Sequence, residues 1–418
     1  MHTNRTGSVG LSPERLARLT RGMERFVAQG QVAGLVSLVW RRGEVAAFET
    51  FGLEDIAAAR PMRQDTLFRI YSMTKPVASV AVLMLLEEGA LRLSDPISNY
   101  LPAFHDMHVL DPAGGGEGLV KADRPITIYH LLTHTSGLSY GFGDDPLDRL
   151  YQEAFWSLIP ADVPGTATGR GPDPVTAAII SLAVAHLQTL EAAVQAVARL
   201  PLAQQPGTRF RYSVATDVLG LLVEKVSGLT LPEFFRQRIF EPLGMPDTAF
   251  HVAGEKRDRL STTYGALGPG GLSVVDAAET SLFHRPPRCP LGGSGLVSTA
   301  GDFLRFARML LGRGELEGAR LLSRKTTELM TADHLPAGVS LWDDPAMGFG
   351  LGVSVQRRLG GTQSLGSAGT IGWGGAASTD WWADPQEQLI GILMTQLLPA
   401  GCPIVQDHRL LTYQSIVD

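Results

Sequence analysis

Apolar residues recur at helical spacing through Leu16, Leu19, Met23, Phe26 and Val27, framed by Leu11-Ser12-Pro13-Glu14 on one side and Gly30 on the other. That pattern predicts an amphipathic helix with serine as N-cap, proline in the first helical position and glycine as the stop. The pattern then changes. Gly34 to Trp40 and Val45 to Phe51 are rich in β-forming residues, and Arg41-Arg42-Gly43-Glu44 between them reads as a hairpin turn. From Ser72 the spacing is helical again, with Val77, Val80, Ala81, Met84 and Leu85 on one side and Gly89 at the end. Ser72 therefore opens a buried helix, where free amides and the positive dipole end favour a developing anion.

From about residue 90 to 340 the chain reads as helices and loops, with helices at Ala177 to Leu200, Ser213 to Val226, Leu231 to Ile239 and Thr299 to Leu311. Gly141 to Asp173 and His251 to Pro290 read as loops over a pocket. Strand patterns return at Gly348 to Val355, Ile371 to Trp382 and Gln388 to Gln396, and a final helix is expected over Ile404 to Ser415. Strands at both ends with helices between predict an α+β fold, an α/β sandwich whose antiparallel sheet is built from N- and C-terminal strands and flanked by helices, with a mainly helical domain inserted. The expected organisation is one catalytic unit over 1–418, with an α/β region at about 1–90 plus 340–418 and a helical region at about 91–339. The site would lie where the two regions meet.

Composition narrows the functional classes. A chain of 418 residues with 44% hydrophobic content can bury a sizeable core, and a net charge of -6 offers no basic stripe for nucleic acid. A small molecule is the expected ligand. Met1 to Gly7 lacks the charged start and apolar stretch of a signal peptide, and no apolar run is long enough to cross a bilayer, so a cytoplasmic location without membrane attachment is expected. Cys289 and Cys402 make neither a disulfide framework nor a metal spacing and read as ordinary thiols.

Three stretches carry chemistry. In Arg69-Ile70-Tyr71-Ser72-Met73-Thr74-Lys75-Pro76-Val77, a serine and a lysine three residues apart share a helix face. A serine becomes a nucleophile only when a neighbour takes its proton, and an amine can do so when burial or a nearby cation depresses its pKa. Pro206-Gly207-Thr208-Arg209-Phe210-Arg211-Tyr212-Ser213-Val214 is a turn that delivers a tyrosine just before a helix. A phenol titrates near 10 in water, and one held against a lysine can pass protons. Gly372-Trp373-Gly374-Gly375-Ala376 places glycines inside a strand pattern, which marks either a bulge or close backbone approach to a ligand, where an edge amide can hold an oxyanion.

Together these stretches resemble the serine β-lactamase and D,D-peptidase superfamily, and within it the family VIII carboxylesterases, which look like class C β-lactamases. The similarity extends through Thr66-Leu67-Phe68-Arg69, Leu93-Ser94-Asp95-Pro96, His130 to Leu138, Phe240 to Met245 and Gly295 to Asp302. The resemblance implies a β-lactamase/transpeptidase-like fold and an acyl-serine mechanism without a cofactor. It implies Ser72 as nucleophile, Lys75 and Tyr212 as the groups that share its proton, and the amides of Ser72 and Ala376 as the oxyanion hole. Trp373 stands where β-lactamases carry the lysine of Lys-Thr-Gly, and Val214 where they carry the asparagine of Tyr-x-Asn. Those side chains would have met a substrate carboxylate and amide, so an uncharged ester is favoured over a β-lactam. Tyr140, Val214, Trp373, Gly374 and Gly375 are the expected substrate contacts.

The expected function is hydrolysis of small to medium carboxylic esters by a serine carboxylesterase. An acyltransferase of the same fold is the alternative, followed by a β-lactamase or D,D-peptidase and by a non-catalytic ligand-binding protein. Gly137-Leu138-Ser139-Tyr140-Gly141 fits the Gly-x-Ser-x-Gly pattern of another hydrolase class, but a helix precedes it and a loop follows, where that motif needs a strand before and a helix after. His130 and His134 have the spacing of helix-borne metal ligands without the intervening glutamate or an evident third ligand, so no metal site is expected. Asp217 and Glu224 read as caps or surface charges.

Overall fold

The structure, a computed structural model, describes residues 9–111, 118–157, 185–186, 188–266, 271–360, 365–399 and 401–418. Helix α1 (Pro13–Ala28) starts where expected, the Ser12 side chain accepting the Arg15 amide. Strands β1 (Gly34–Arg41) and β2 (Glu44–Asp55) form the expected hairpin, whose turn places Arg42 and Gly43 at φ 48° and 95°. Two consecutive left-handed residues match the twist of the strands they join.

Five further strands complete the sheet from the C-terminal part: β4 (Met347–Phe349), β5 (Ser354–Gln356), β6 (Ile371–Gly374), β7 (Asp380–Asp384) and β8 (Leu389–Thr395), with the short β3 (Arg60–Pro61) at the other edge. The spatial order is β4-β5-β6-β7-β8-β1-β2-β3, antiparallel throughout. Its central seam pairs β1 with β8, Leu35 opposite Thr395 and Arg41 opposite Leu389.

Both faces of the sheet are covered, which explains why β1 and β8 are apolar almost without alternation. Leu35, Val39, Trp382 and Leu393 face α1 and the last helix, while Val36, Leu38, Trp381 and Ile392 face the inner helices. Four more helices matter for the site: α2 (Thr74–Glu87), α3 (Ala215–Ser227), α4 (Ala300–Leu311) and α5 (Ile404–Gln414). Every residue of α2 from Thr74 to Leu85 is buried, so the helix that follows Ser72 is a core helix rather than a one-sided one.

Five local expectations need correction. Gly348 to Val355 is two strands, because a turn at Gly350–Val353, with Gly352 at φ 92°, reverses the chain. Ile371 to Trp382 is likewise a hairpin, closed by the Gly375 amide on the Thr379 carbonyl, with Ser378 at φ 61°. The stretch from Gly141 contains a helix, Pro146–Ser157, where the Asp145 side chain accepts the Asp148 amide; residues 158–173 lie outside the described residues. The stretch from His251 contains a two-stranded ribbon, Thr263–Ala266 with Leu272–Asp276. The helix expected over Ala177 to Leu200 is not continuous: among the described residues it is interrupted at Gln188 and Thr189, and Leu190–Val197 starts anew with the Thr189 side chain as its cap. The helix at Leu231 runs to Phe235 and continues as a π turn to Phe240.

Cys289 and Cys402 are free thiols, and among the described residues no helix is long and apolar enough to cross a membrane. The inner layer depends on aromatic packing: Phe303 of α4 is fully buried, with its ring centroid 5.6 Å from that of Trp381 on β7. Phe303→Ala is expected to destabilise the protein by about 3–5 kcal/mol. A lower urea midpoint with an unchanged denaturant slope checks this.

Candidate active site

Ser72 lies in a 3₁₀ turn, Tyr71–Met73, that runs directly into α2. Tyr71 is held at φ 41°, a conformation costly for a bulky residue. The turn is pinned from outside. Ile70 donates its amide to the Leu296 carbonyl, and the buried Arg69 guanidinium meets Asp276 at 2.6 Å, Ser281 Oγ at 2.9 Å and the Ser261 carbonyl at 2.5 Å. The sequence reading placed Ser72 at a helix start; it gave no sign of the strain before it.

Lys75 follows one turn later and is fully buried. Its Nζ donates to Ser72 Oγ at 3.2 Å and to the Gly293 carbonyl at 2.7 Å, and it stands 4.7 Å and 5.1 Å from the ring centroids of Tyr212 and Tyr140. Those contacts satisfy a cation that would otherwise lose several kcal/mol on leaving water.

Tyr212 arrives from the segment before α3. Its hydroxyl donates to Ser72 Oγ at 2.7 Å and accepts the Trp373 indole N–H at 3.3 Å. The backbone around it is fixed by the loop that ends the helix Ile128–Leu132: Arg211 donates its amide to the His134 carbonyl, and His134 Nδ1 bonds Ser213 Oγ at 3.2 Å. His134 sits at φ 51°, fully buried, and desolvation together with Lys75 holds its pKa well below the ordinary imidazole value. The other histidine of the pair, His130, accepts the Thr127 amide within a capping box, and burial lowers its pKa to about 4. Both histidines are thus engaged in holding the backbone.

The glycine-rich strand end approaches the nucleophile turn because it lacks side chains. A Cβ on Gly375 would lie 2.5 Å from the Ile70 carbonyl oxygen and 2.2 Å from Thr379 Oγ1. Only glycine fits there, and the fit brings Ala376 beside Ser72 at the same cavity. That cavity has a volume of about 830 Å³, and Tyr140, Trp373, Gly374 and Gly375 also line it. Val214 does not: it is buried in the core at the start of α3, so the expected substrate contact is corrected to a packing position.

Two residues that the sequence reading passed over complete the site. Asp217, read as a cap or surface charge, is buried; its Oδ1 accepts the Gly293 amide at 2.8 Å. Burial pushes its pKa up, while Lys75 and the Gly293 N–H pull it back. The Gly293 peptide therefore links the two charges, carboxylate at its N–H and lysine at its C=O. A Cβ at Gly293 would stand 2.9 Å from Tyr140 Oη and 3.1 Å from both Asp217 oxygens, so this bridge too requires glycine. The available signal was the Gly292-Gly293 pair five residues before Val297, which fitted no motif.

The mouth is aromatic. Phe142 stacks on Tyr140 with centroids 4.8 Å apart, and Trp342 stacks near Trp373 at 6.4 Å while lying 62% exposed. Trp342 and Asp343, at φ 53° and 59°, form the tip of a turn closed by the Asp344 amide on the Leu341 carbonyl. Ser139, the competing serine, is buried away from this arrangement; it donates to Asp148 at 2.6 Å and accepts from Arg211 Nε at 3.1 Å.

A serine on a buried core helix, faced by a lysine, a tyrosine and a glycine-lined strand end, defines an acyl-serine type of site. The chain belongs to the beta-lactamase family, whose profile matches residues 19–411. It is 38% identical over 383 residues to an uncharacterised protein of Mycobacterium tuberculosis, covering 88% of this chain and 87% of that protein. It is 30% identical over 407 residues to the esterase EstB of Burkholderia gladioli, covering 92% and 91%. Among solved structures it resembles EstCE1, described as a hydrolase with promiscuous acyltransferase activity, with a TM-score of 0.73, 27% identity, and 96% and 98% of the two chains covered.

Asp217 touches no reacting atom, so its effect runs through Gly293 and Lys75. Asp217→Asn keeps an acceptor for the Gly293 amide but removes the charge facing Lys75, and labelling of Ser72 by a serine-directed phosphonate is expected to slow by about tenfold or more, about 1.4 kcal/mol in the barrier. A circular-dichroism melt separates this from misfolding, and an unchanged labelling rate in a folded variant would refute the positioning role.

Proposed function

We propose that the protein is a serine carboxylesterase acting on uncharged small to medium esters. The observation that carries this reading is Ser72 Oγ held between Tyr212 at 2.7 Å and Lys75 at 3.2 Å, in a cavity walled by the neutral side chain of Trp373. The EstB and EstCE1 relatives support the same reaction class. Ser72, Lys75 and Tyr212 are the catalytic residues, the amides of Ser72 and Ala376 form the oxyanion hole, and Tyr140, Trp373, Gly374 and Gly375 line the bound ester.

The Lys75–Tyr212 pair acts as the base. With Lys75 positive and Tyr212 ionised, the phenolate takes the Ser72 proton while Oγ bonds the carbonyl carbon and the carbonyl electron pair moves to oxygen. The two backbone amides hold that oxyanion. Its collapse breaks the ester C–O bond, and the alcohol leaves with the proton from Tyr212. The phenolate then takes a proton from water, hydroxide adds to the acyl carbon, and collapse expels Ser72 Oγ, which recovers its proton from Tyr212. Trp373 contributes an N–H to the Tyr212 oxygen, which helps fix the hydroxyl beside Ser72. The chain forms one catalytic unit, an α/β region with a helical region inserted, and no cofactor takes part. A cytoplasmic location belongs to the same proposal and fits two unpaired thiols.

A second reading, acyl transfer to an alcohol or amine other than water, is favoured by the exposed aromatic mouth, which can hold an organic acceptor against the acyl-enzyme. Ester-to-acid product ratios measured with rising concentrations of competing alcohols separate the two readings.

Ser72→Ala is expected to abolish turnover of a chromogenic short-chain ester, whereas Ser139→Ala retains it and loses about 2–3 kcal/mol of stability with its hydrogen bonds to Asp148 and Arg211. The reverse outcome would sink the assignment. Chromogenic β-lactams run beside the esters are expected to turn over at least about a hundredfold more slowly, because position 373 carries a neutral tryptophan and offers no charge to a substrate carboxylate.

A further inference from the structure

The active-site cavity continues past the edge of β6. The β5–β6 ladder ends at Ser354 opposite Gly372, so Trp373 and Gly374 have no ladder partner on that side. Trp373, with its partner Trp381, faces the nucleophile, whereas Gly372 and Gly374 share the opposite face with Trp382 and Asp380. A Cβ on Gly372 would lie 2.4 Å from the Trp381 carbonyl oxygen, so glycine there admits the neighbouring strand, and Ser354, Asp380 and Arg409 line the same cavity as Ser72.

Neither charged group at this end has an ion-pair partner among the described residues. Asp380 is half-buried, and its Oδ1 lies over Gly374, 3.2 Å from where a Cβ would be. Among the described residues its carboxylate has no hydrogen-bond or ion-pair partner, unlike Asp384, four residues on, whose oxygens bond Ser367, Thr370 and Tyr413. The Arg409 guanidinium packs 5.6 Å from the Trp382 centroid and 5.9 Å from that of Tyr413, and gives one N–H to Gln356 Oε1 at 3.2 Å. It pairs with no carboxylate among the described residues, and its Nε is buried without a partner. The two groups influence each other electrostatically without touching: burial pushes the Asp380 pKa up to about 7 and Arg409 pulls it back.

We infer that Asp380 and Arg409 form a polar subsite that holds a neutral hydrogen-bonding group of the substrate, a hydroxyl or a carboxamide, away from the scissile carbonyl. An acceptor beside a fixed donor suits a guest that both donates and accepts. A carboxylate guest would meet Asp380, and an ammonium would meet Arg409. The inference rests on the ester-hydrolase reading and narrows its substrates to esters with a neutral polar end.

The test uses nitrophenyl alkanoates of one chain length ending in methyl, hydroxyl, carboxamide, carboxylate or ammonium. For the wild type, kcat/KM is expected to favour the hydroxyl or carboxamide ester over the methyl ester by about tenfold, and to fall for both charged ends. In Asp380→Ala and Arg409→Met the polar-to-methyl ratio falls to about one, whatever the absolute rates, while phosphonate labelling of Ser72 shows that each variant is folded at the site. No polar preference in the wild type, a preference for a charged end, or a preference that survives both substitutions overturns the subsite. Binding of the matching hydroxy and methyl alkanamides, which carry no ester, is measured by calorimetry in parallel. No ester turnover with tighter hydroxyamide binding refutes the esterase reading alone; ester turnover without polar preference refutes the subsite alone.

Discussion

A lysine placed in the middle of an apolar core is the constraint around which this protein is arranged. Lys75 lies on a helix buried on every side, and leaving water costs a cation several kcal/mol unless the surroundings replace its hydration. The replacements come from four separate stretches of chain: the Gly293 carbonyl, the Ser72 hydroxyl, two tyrosine faces and the carboxylate of Asp217 behind Gly293. Each of these is fixed by something further out. The Tyr212 backbone is tied to His134, Tyr140 packs over Gly293, and the nucleophile turn is held by Arg69 in its own buried network. Meeting the needs of one side chain therefore orders most of the active-site floor.

What replaces the family's usual cation at the strand end follows from the same electrostatics. A second positive side chain at position 373 would face Lys75 across Tyr212 and would bring a partner for anionic substrates. Trp373 instead gives the Tyr212 oxygen a neutral N–H and joins an aromatic belt with Trp342, Phe349 and Tyr212. The wall keeps a donor for the tyrosine and presents an apolar face to the ligand.

The parts legible in the sequence were those governed by local rules. Caps, hairpin turns and the Ser72-Lys75 spacing state their geometry within a few residues, and the sheet built from both ends of the chain follows from where strand patterns occur. The misses share a different cause. Gly350 to Val353 and Gly375 to Thr379 turn the chain without a proline or an Asn-Gly signal, so each hairpin read as one strand. Asp217 looked like an ordinary first-turn acid because its burial depends on Gly293, 76 residues away. Val214 was assigned to the ligand by its place in a motif, yet one turn of helix start rotates it into the core. Long-range packing decides such residues, and no local pattern records it.

The seam between β1 and β8 has a consequence for how the protein comes into being. Residues 35–41 find their partners at 389–395, and the strand end that lines the same cavity as Ser72 lies about three hundred residues downstream of it. During synthesis Ser72, Lys75 and later Tyr212 all emerge before the strand that completes their cavity. Contacts this distant form late, after most of the loop-closure entropy has been lost. A nascent or truncated chain accordingly carries Ser72 and Lys75 without the strand end that walls their cavity. The architecture leaves the site open on one side until the molecule is whole.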